Sequence, residues 1–130
     1  MIIDFKLLIE SLPLLLCGAL VTLQIALYAC IIGISLGTFL GVIQTGSNRF
    51  LRSLVLLYVT FIRGTPMLIH VLVAAYVLPQ IGIHIPLFWA AVLAIGFNSA
   101  AYISQIVRSG IASVGRGQIE AARVLGLTNW

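Results

Sequence analysis

Few side chains in this sequence could carry chemistry, and most of them stand alone in apolar surroundings. His70 and His84 have no cysteine or acidic residue nearby in the sequence, and Cys17 and Cys30 would lie about 20 Å apart along one helix. This spacing predicts no metal site, no disulfide within the chain and, without a glycine-rich lysine loop, no nucleotide cofactor. The apolar segments also hold no acid pair and no nucleophile beside a base, so they do not favour an intramembrane enzyme.

The remaining polar residues lie mostly on one side of the last apolar segment. Asn98, Tyr102 and Gln105 follow one another at helical spacing. Polar side chains are costly in lipid, so this side is expected to face other helices or a water-filled pathway. Hydrogen bonding between helices and the lining of such a pathway are both compatible with the spacing.

A second polar feature interrupts the apolar stretch from residue 54 to 78 with the sequence Arg63-Gly64-Thr65-Pro66. Arginine is costly at that depth, and proline removes a backbone donor while disfavouring helix at the preceding residue. We predict a break there, with the N–H groups of the following helix facing protein or an aqueous cavity. The alternative is a simple turn from which the arginine reaches the interface. The two polar features give seven candidates for a pathway or gate: Arg63, Gly64, Thr65, Pro66, Asn98, Tyr102 and Gln105.

The composition indicates that lipid surrounds most of the chain. Of 130 residues, 62% are hydrophobic and 8% are charged, whereas soluble domains carry about a quarter charged residues. No charged residue lies between Glu10 and Arg49 or between Arg63 and Arg108, and each gap exceeds the roughly 20 residues that cross a bilayer. A chain this short cannot cover such runs with a polar shell. The sequence therefore predicts an all-α integral membrane protein.

Turn residues and prolines divide the chain into three predicted spans and a cytoplasmic segment, at about residues 13–44, 54–78, 87–107 and 108–130. Pro13 suits the first turn of the first span. Gly33, Gly37 and Gly41 recur every fourth residue, so they share a face that lets another helix approach closely.

The basic residues predict the orientation of the spans. Five arginines follow the first or the third predicted span: Arg49, Arg52, Arg108, Arg116 and Arg123. Residues 79–86, between the second and third spans, contain no lysine or arginine. The positive-inside rule places the basic segments in the cytoplasm and the amino terminus outside. The net charge of +4 follows from this topology and does not indicate a nucleic acid partner.

The last predicted helix, from Gln118 to Leu125, is followed by Gly126 as a stop signal. Ile119, Ala122 and Leu125 share one face of it, so the helix presents an apolar strip beside charged residues. Such a helix is suited to docking on a partner protein, and the alternative is an amphipathic helix that rests on lipid.

Several motifs together resemble the membrane subunits of ATP-binding-cassette importers, in particular those for polar amino acids. The cytoplasmic signature of that family is Glu-Ala-Ala, three residues and glycine, matched here by Glu120, Ala121, Ala122 and Gly126 after Gly117-Gln118. The other matches occur in the family's order and are Arg63-Gly64-Thr65-Pro66, Ala101-Tyr102 and Arg108-Ser109-Gly110-Ile111. The resemblance covers essentially the whole chain.

The resemblance implies a multi-pass permease subunit of the bacterial inner membrane that pairs with a second permease subunit. Two cytoplasmic ATPases would drive the pore, and an extracytoplasmic solute-binding protein would deliver the amino acid. The segment with Gly117, Gln118 and Glu120 to Gly126 would be the coupling helix, seated in a groove of the ATPase. ATP hydrolysis would belong to that partner.

The sequence departs from the family pattern at three places. Gln105 stands where glutamate is common, and His70 stands where glutamine is common. The sequence ends at Trp130, before the family's Ile-x-Leu-Pro stretch and its later spans, so we expect the amino-terminal part of a five-span permease, functional or not. A small stand-alone membrane protein, such as an oligomeric channel or an accessory subunit, is the alternative.

Overall fold

The computed structural model describes the backbone of residues 5–127 and the side chains of residues 9–127 other than residue 116. Within that part of the chain the regular structure is entirely helical, which confirms the predicted all-α membrane fold. The helices are α1 (Phe5–Thr45), α2 (Arg49–Gly64), α3 (Met67–Leu72), a π-helical turn (Val73–Val77), α4 (Leu78–Gln80), α5 (Leu87–Ala112) and α6 (Arg116–Val124).

Two of the described helices, α1 and α5, are each long and apolar enough to cross a bilayer. A third candidate span exists only as a bent pair, because α2 and the segment Met67–Gln80 meet at 98°. The backbone is extended at Thr65 (φ −117°, ψ 140°) and Pro66 (φ −59°, ψ 136°). Proline restricts the preceding residue to this region, so the break follows from the local sequence.

The first helix begins earlier than the predicted span. Pro13, which the sequence places in a first turn, lies inside a helix that starts at Phe5. One proline removes one backbone donor, whereas in lipid the other backbone groups are satisfied only inside a helix. The 41 residues of α1 extend about 62 Å, so this helix must tilt or project beyond a hydrocarbon core of about 30 Å.

The third span also continues as a helix beyond its predicted end at residue 107. α5 runs on through Arg108 to Ala112, so part of the segment predicted as cytoplasmic belongs to the same helix. Helix end and membrane boundary need not coincide, because a helix that leaves the bilayer keeps its own hydrogen bonds.

The main packing in the described chain is between α1 and α5. A Cβ atom on Gly37 would lie 2.7 Å from Cβ of Ile103 and 2.9 Å from the carbonyl oxygen of Ala100. Gly33 and Gly41 face α5 in the same way. Most buried residues of α5 are small: Ala90, Ala94, Gly96, Ala100, Ala101 and Ser104. The two backbones therefore approach closely. This close packing holds the helices together, because lipid provides no hydrophobic drive for their association.

α2 packs one face on the α1–α5 pair. Val55 and Val59 are buried with Ala101, and the hydroxyl of Tyr58 donates a hydrogen bond of 2.6 Å to the carbonyl oxygen of Phe97. The helix begins at a side-chain cap, where Oδ1 of Asn48 accepts the N–H groups of residues 50 and 51. The packing and the cap together hold α2 against the other two helices, and so they position the break that follows its carboxyl end.

Candidate functional site

The break between α2 and α3 brings three polar side chains together, and we call Thr65, His70 and Asn98 the histidine network. Asn98 Nδ2 lies 3.3 Å from His70 Nδ1, and Thr65 Oγ1 lies 2.5 Å from His70 Nε2. Asn98 is only 7% exposed. The network thus ties α5 to both sides of the break.

The hydrogen-bond pattern assigns a direction to this network. Thr65 Oγ1 donates to the carbonyl oxygen of Phe61 at 3.1 Å, and the carbonyl oxygen of Ile62 lies 3.3 Å from the same hydroxyl. Since the single hydroxyl hydrogen is then used, the Nε2–H of His70 donates to Thr65 Oγ1. His70 Nδ1 is left to accept from the Asn98 amide, so the Nε2–H tautomer is the one that fits both contacts of the imidazole ring.

A cavity of about 510 Å³ lies between α2, the segment from α3 to α4, and α5. Its wall is apolar apart from three side chains, which are Tyr58, Thr65 and His70. Two of these three side chains, Thr65 and His70, belong to the histidine network, and the space they border is large enough for a small solute.

Arg63, in the last turn of α2, does not line this cavity. Its guanidinium carbon lies 5.0 Å from the centroid of the Tyr102 ring, and both side chains are exposed. The contact is a cation–π interaction. It holds the charge on the outer surface of the helix pair, at the level of the break.

Gln105, the third polar residue of α5, contacts α1 instead. Its Nε2 donates to Gln44 Oε1 at 2.9 Å, and Nη1 of Arg108 makes a long contact of 3.5 Å with the same oxygen. Gln44 is 3% exposed, and its Nε2 has no hydrogen-bond partner in the structure. The three residues form a polar cluster at the end of the α1–α5 interface that is closer to α6.

α6 carries the residues predicted for docking, and it is exposed almost throughout. Leu125, just past its end, is 79% exposed. The helix stops because Gly126 has φ +80°. The N–H of Gly126 bonds the Arg123 carbonyl oxygen at 3.0 Å and that of Leu127 bonds the Ala122 oxygen at 3.0 Å, the hydrogen-bond pattern of a Schellman stop.

The structure therefore separates the predicted pathway and coupling residues into five groups. Thr65 and Asn98 meet through His70, Arg63 meets Tyr102, and Gln105 meets Gln44. Gly64 and Pro66 form the bend. The signature residues stand apart from these contacts on α6 or directly after it: Gly117, Gln118, Glu120, Ala121, Ala122 and Gly126.

Three residues of this arrangement were not among the predicted sites, namely Gln44, Tyr58 and His70. Each is a polar residue within or at the end of an apolar run, and that is the signal that could have found them, because lipid forces such groups to find partners.

Among residues 9–127, no group of three histidine, cysteine or acidic side chains could hold a metal ion. Cys17 and Cys30 are both free and exposed.

The chain belongs to the family described as binding-protein-dependent transport system inner membrane component, which matches residues 33–130. This confirms the resemblance drawn from the motifs. A crystal structure described as an amino acid ABC transporter with histidines superposes with a TM-score of 0.88 and 38% identity. The match covers 99% of this chain and 60% of that one.

Similar proteins include permease proteins of amino-acid transporters. Identity is 39% over 126 residues to the arginine transport system permease protein ArtQ of Bacillus subtilis, covering 96% of this chain and 58% of that protein. It is 39% over 111 residues to the putative glutamine permease GlnP of Rickettsia conorii (85% and 51%). It is 36% over 137 residues to the nopaline permease NocM of Agrobacterium fabrum (98% and 57%). The chain spans about half the length of these relatives.

Proposed function

We propose that this chain belongs to the transmembrane subunit of an ATP-driven importer for polar amino acids. The observation that carries the proposal is α6, which presents the Glu120-Ala121-Ala122 signature on an exposed helix directly after a helix that can cross the membrane. The named relatives act on arginine, glutamine and nopaline, which supports a polar amino acid or a related compound as the solute.

In this proposal α6 is the coupling helix. It lies in the cytoplasm, in a groove of an ATP-binding-cassette ATPase, and the amino terminus lies outside. ATP is hydrolysed in that partner. A second permease subunit completes the pore in the bacterial inner membrane, a solute-binding protein delivers the amino acid from outside, and the exposed apolar faces of the spans contact lipid.

The pathway is assigned to the break and the cavity beside it. Thr65 and Asn98 are the predicted pathway residues that belong to the histidine network, and the bend at Gly64 and Pro66 lets that network reach the cavity. The Arg63–Tyr102 pair lies at the edge of the same region, and in this proposal it acts as a gate. For Gln105, the hydrogen bond to Gln44 favours the alternative of bonding between helices.

Co-purification tests the proposal. A tagged permease should bring down its ATPase, and the substitution Ile119→Glu should lower recovery at least tenfold by placing a charge on the docking face. Ile83→Glu is a matched control, because Ile83 and Ile119 are similarly exposed, at 48% and 41%, and Ile83 lies in the loop between α4 and α5.

Recovery of the ATPase with the Ile83→Glu protein should equal that of the parent. A parent chain that purifies only with copies of itself would support a stand-alone oligomeric membrane protein and refute the proposal. Equal loss with both variants would show that α6 has no special role in docking.

A further inference from the structure

Gln44 has a side chain whose hydrogen bonding is incomplete. Its Oε1 receives two donors, from Gln105 and Arg108, while its Nε2 is buried without an acceptor. Turning the amide over would set Gln44 Nε2 against the Arg108 guanidinium, donor against donor, so the observed orientation is the better one. A buried donor without a partner is costly, so the Gln44 amide is less favourable here than a side chain whose hydrogen bonds were all made.

The two helices are in close contact directly beside Gln44. One turn earlier on α1, a Cβ on Gly41 would lie 2.6 Å from Cβ of Val107 and 2.9 Å from the carbonyl oxygen of Ser104. The backbones are therefore already in close contact beside Gln44, which keeps its side chain between the two helices.

The cluster also occupies a special place along both helices. Gln44 is the last buried residue of α1, and Arg108 is the last residue of α5 that is even partly buried before its exposed end. From Ser109 the chain passes through the rest of α5 and the turn at residues 113–115 into α6. The turn is short and hydrogen-bonded, with Ser113 N–H bonded to the Ser109 oxygen at 2.9 Å and Gln118 N–H to the Gly115 oxygen at 3.0 Å.

We infer that Gln44, Gln105 and Arg108 form a clasp that carries displacements of α6 to α1. The inference rests on the proposed function, since it gives the clasp a role in coupling. A displacement of α6 is transmitted through the short turn to the exposed end of α5. Counting back from that end, the clasp is the first point where α5 is hydrogen-bonded to α1. Without the clasp the end of α5 bends alone, and ATP hydrolysis continues with less transport. These are positioning residues, which touch neither solute nor nucleotide.

Two near-isosteric substitutions of Gln44 test the clasp in the chain itself. Gln44→Glu replaces the unpaired donor with an acceptor, so both oxygens can take donors from Gln105 and Arg108. Gln44→Met removes the polar group while keeping an unbranched side chain. Hydrogen exchange of residues 38–45 and 104–110, measured in detergent, should slow about fivefold with glutamate and accelerate about tenfold with methionine.

The Arg108→Gln background supplies the control. There the carboxylate of Gln44→Glu lacks its positive partner, so this substitution should accelerate exchange instead of slowing it. A glutamate effect of the same sign in both backgrounds, or exchange unchanged by methionine, would overturn the clasp.

The coupling role is measured in the complete transporter as ATP hydrolysed per amino acid imported. Gln44→Met should raise this ratio at least threefold, and Gln44→Glu should not raise it. An unchanged ratio for Gln44→Met, in a protein whose exchange has accelerated, would overturn the coupling role. If the proposed function is wrong, the co-purification experiment shows it separately, because the parent chain then recovers no ATPase.

Discussion

Replacing Gly37 with alanine should weaken the α1–α5 contact and destabilise the purified chain by about 1–3 kcal/mol. The new Cβ would meet Cβ of Ile103 at 2.7 Å and the carbonyl oxygen of Ala100 at 2.9 Å. Neither atom is the free end of a flexible side chain, so the helices themselves must separate. The loss is expected to be large because lipid offers no hydrophobic gain to hold the pair together.

The measurement is unfolding in mixed micelles of increasing dodecyl sulfate fraction. Trp89 is the reporter, because its ring centroid lies 5.6 Å from that of Tyr28 across the α1–α5 interface, and Trp130 is replaced by phenylalanine in all proteins. Gly18→Ala is the control on the same helix, since a Cβ there meets nothing within 4 Å. It should be neutral or stabilising, by up to about 1 kcal/mol. Equal effects of the two substitutions would contradict the described packing.

Removing either end of the histidine network should lower uptake by the complete transporter roughly tenfold, or about 1.4 kcal/mol. Asn98→Leu leaves His70 Nδ1 without its donor, and Thr65→Val removes the hydroxyl that accepts from Nε2. Each leaves a polar group in the cavity wall unpaired, at a cost of about 1–3 kcal/mol. Because both act through His70, the double variant should lose less than the product of the single effects.

Uptake of labelled amino acid is compared at equal amounts of inserted protein. Thr22→Val is the matched control for Thr65→Val, because the exposed Thr22 hydroxyl bonds only within its own helix, to the Gly18 carbonyl oxygen at 2.9 Å. It should leave uptake unchanged. Normal uptake by the Asn98→Leu protein would remove the network from the pathway, and fully multiplicative losses would argue against a shared role of His70.

Local rules explain the features of the fold that sequence reasoning could reach. The absence of charge between Glu10 and Arg49 is enough to require a membrane helix, since only a helix satisfies backbone groups in lipid. Pro66 constrains Thr65 directly, so the position of the bend depends on two neighbouring residues. Gly126 ends α6 for an equally local reason, because its φ of +80° is costly for other residues.

Features that depend on how helices align could not be predicted in this way. Gln105 contacts Gln44, 61 positions earlier, and Asn98 contacts His70, 28 positions earlier. Helical spacing puts the polar residues of α5 on one side but does not tell which helix each will meet. The cavity likewise depends on the 98° bend, whose angle no sequence pattern specifies.

The central claim is that α6 and the loop between α4 and α5 lie on opposite sides of the membrane, with α6 on the side of the ATPase. Cys17 and Cys30 are replaced by serine, and single cysteines are introduced by Ser113→Cys beside α6 or by His84→Cys in the loop. A membrane-impermeant maleimide is added to cells in which it can reach the outer face of the inner membrane. His84→Cys should then be labelled in intact cells, and Ser113→Cys only after permeabilisation. Labelling of Ser113→Cys in intact cells would contradict the account, because α6 could then reach no cytoplasmic ATPase.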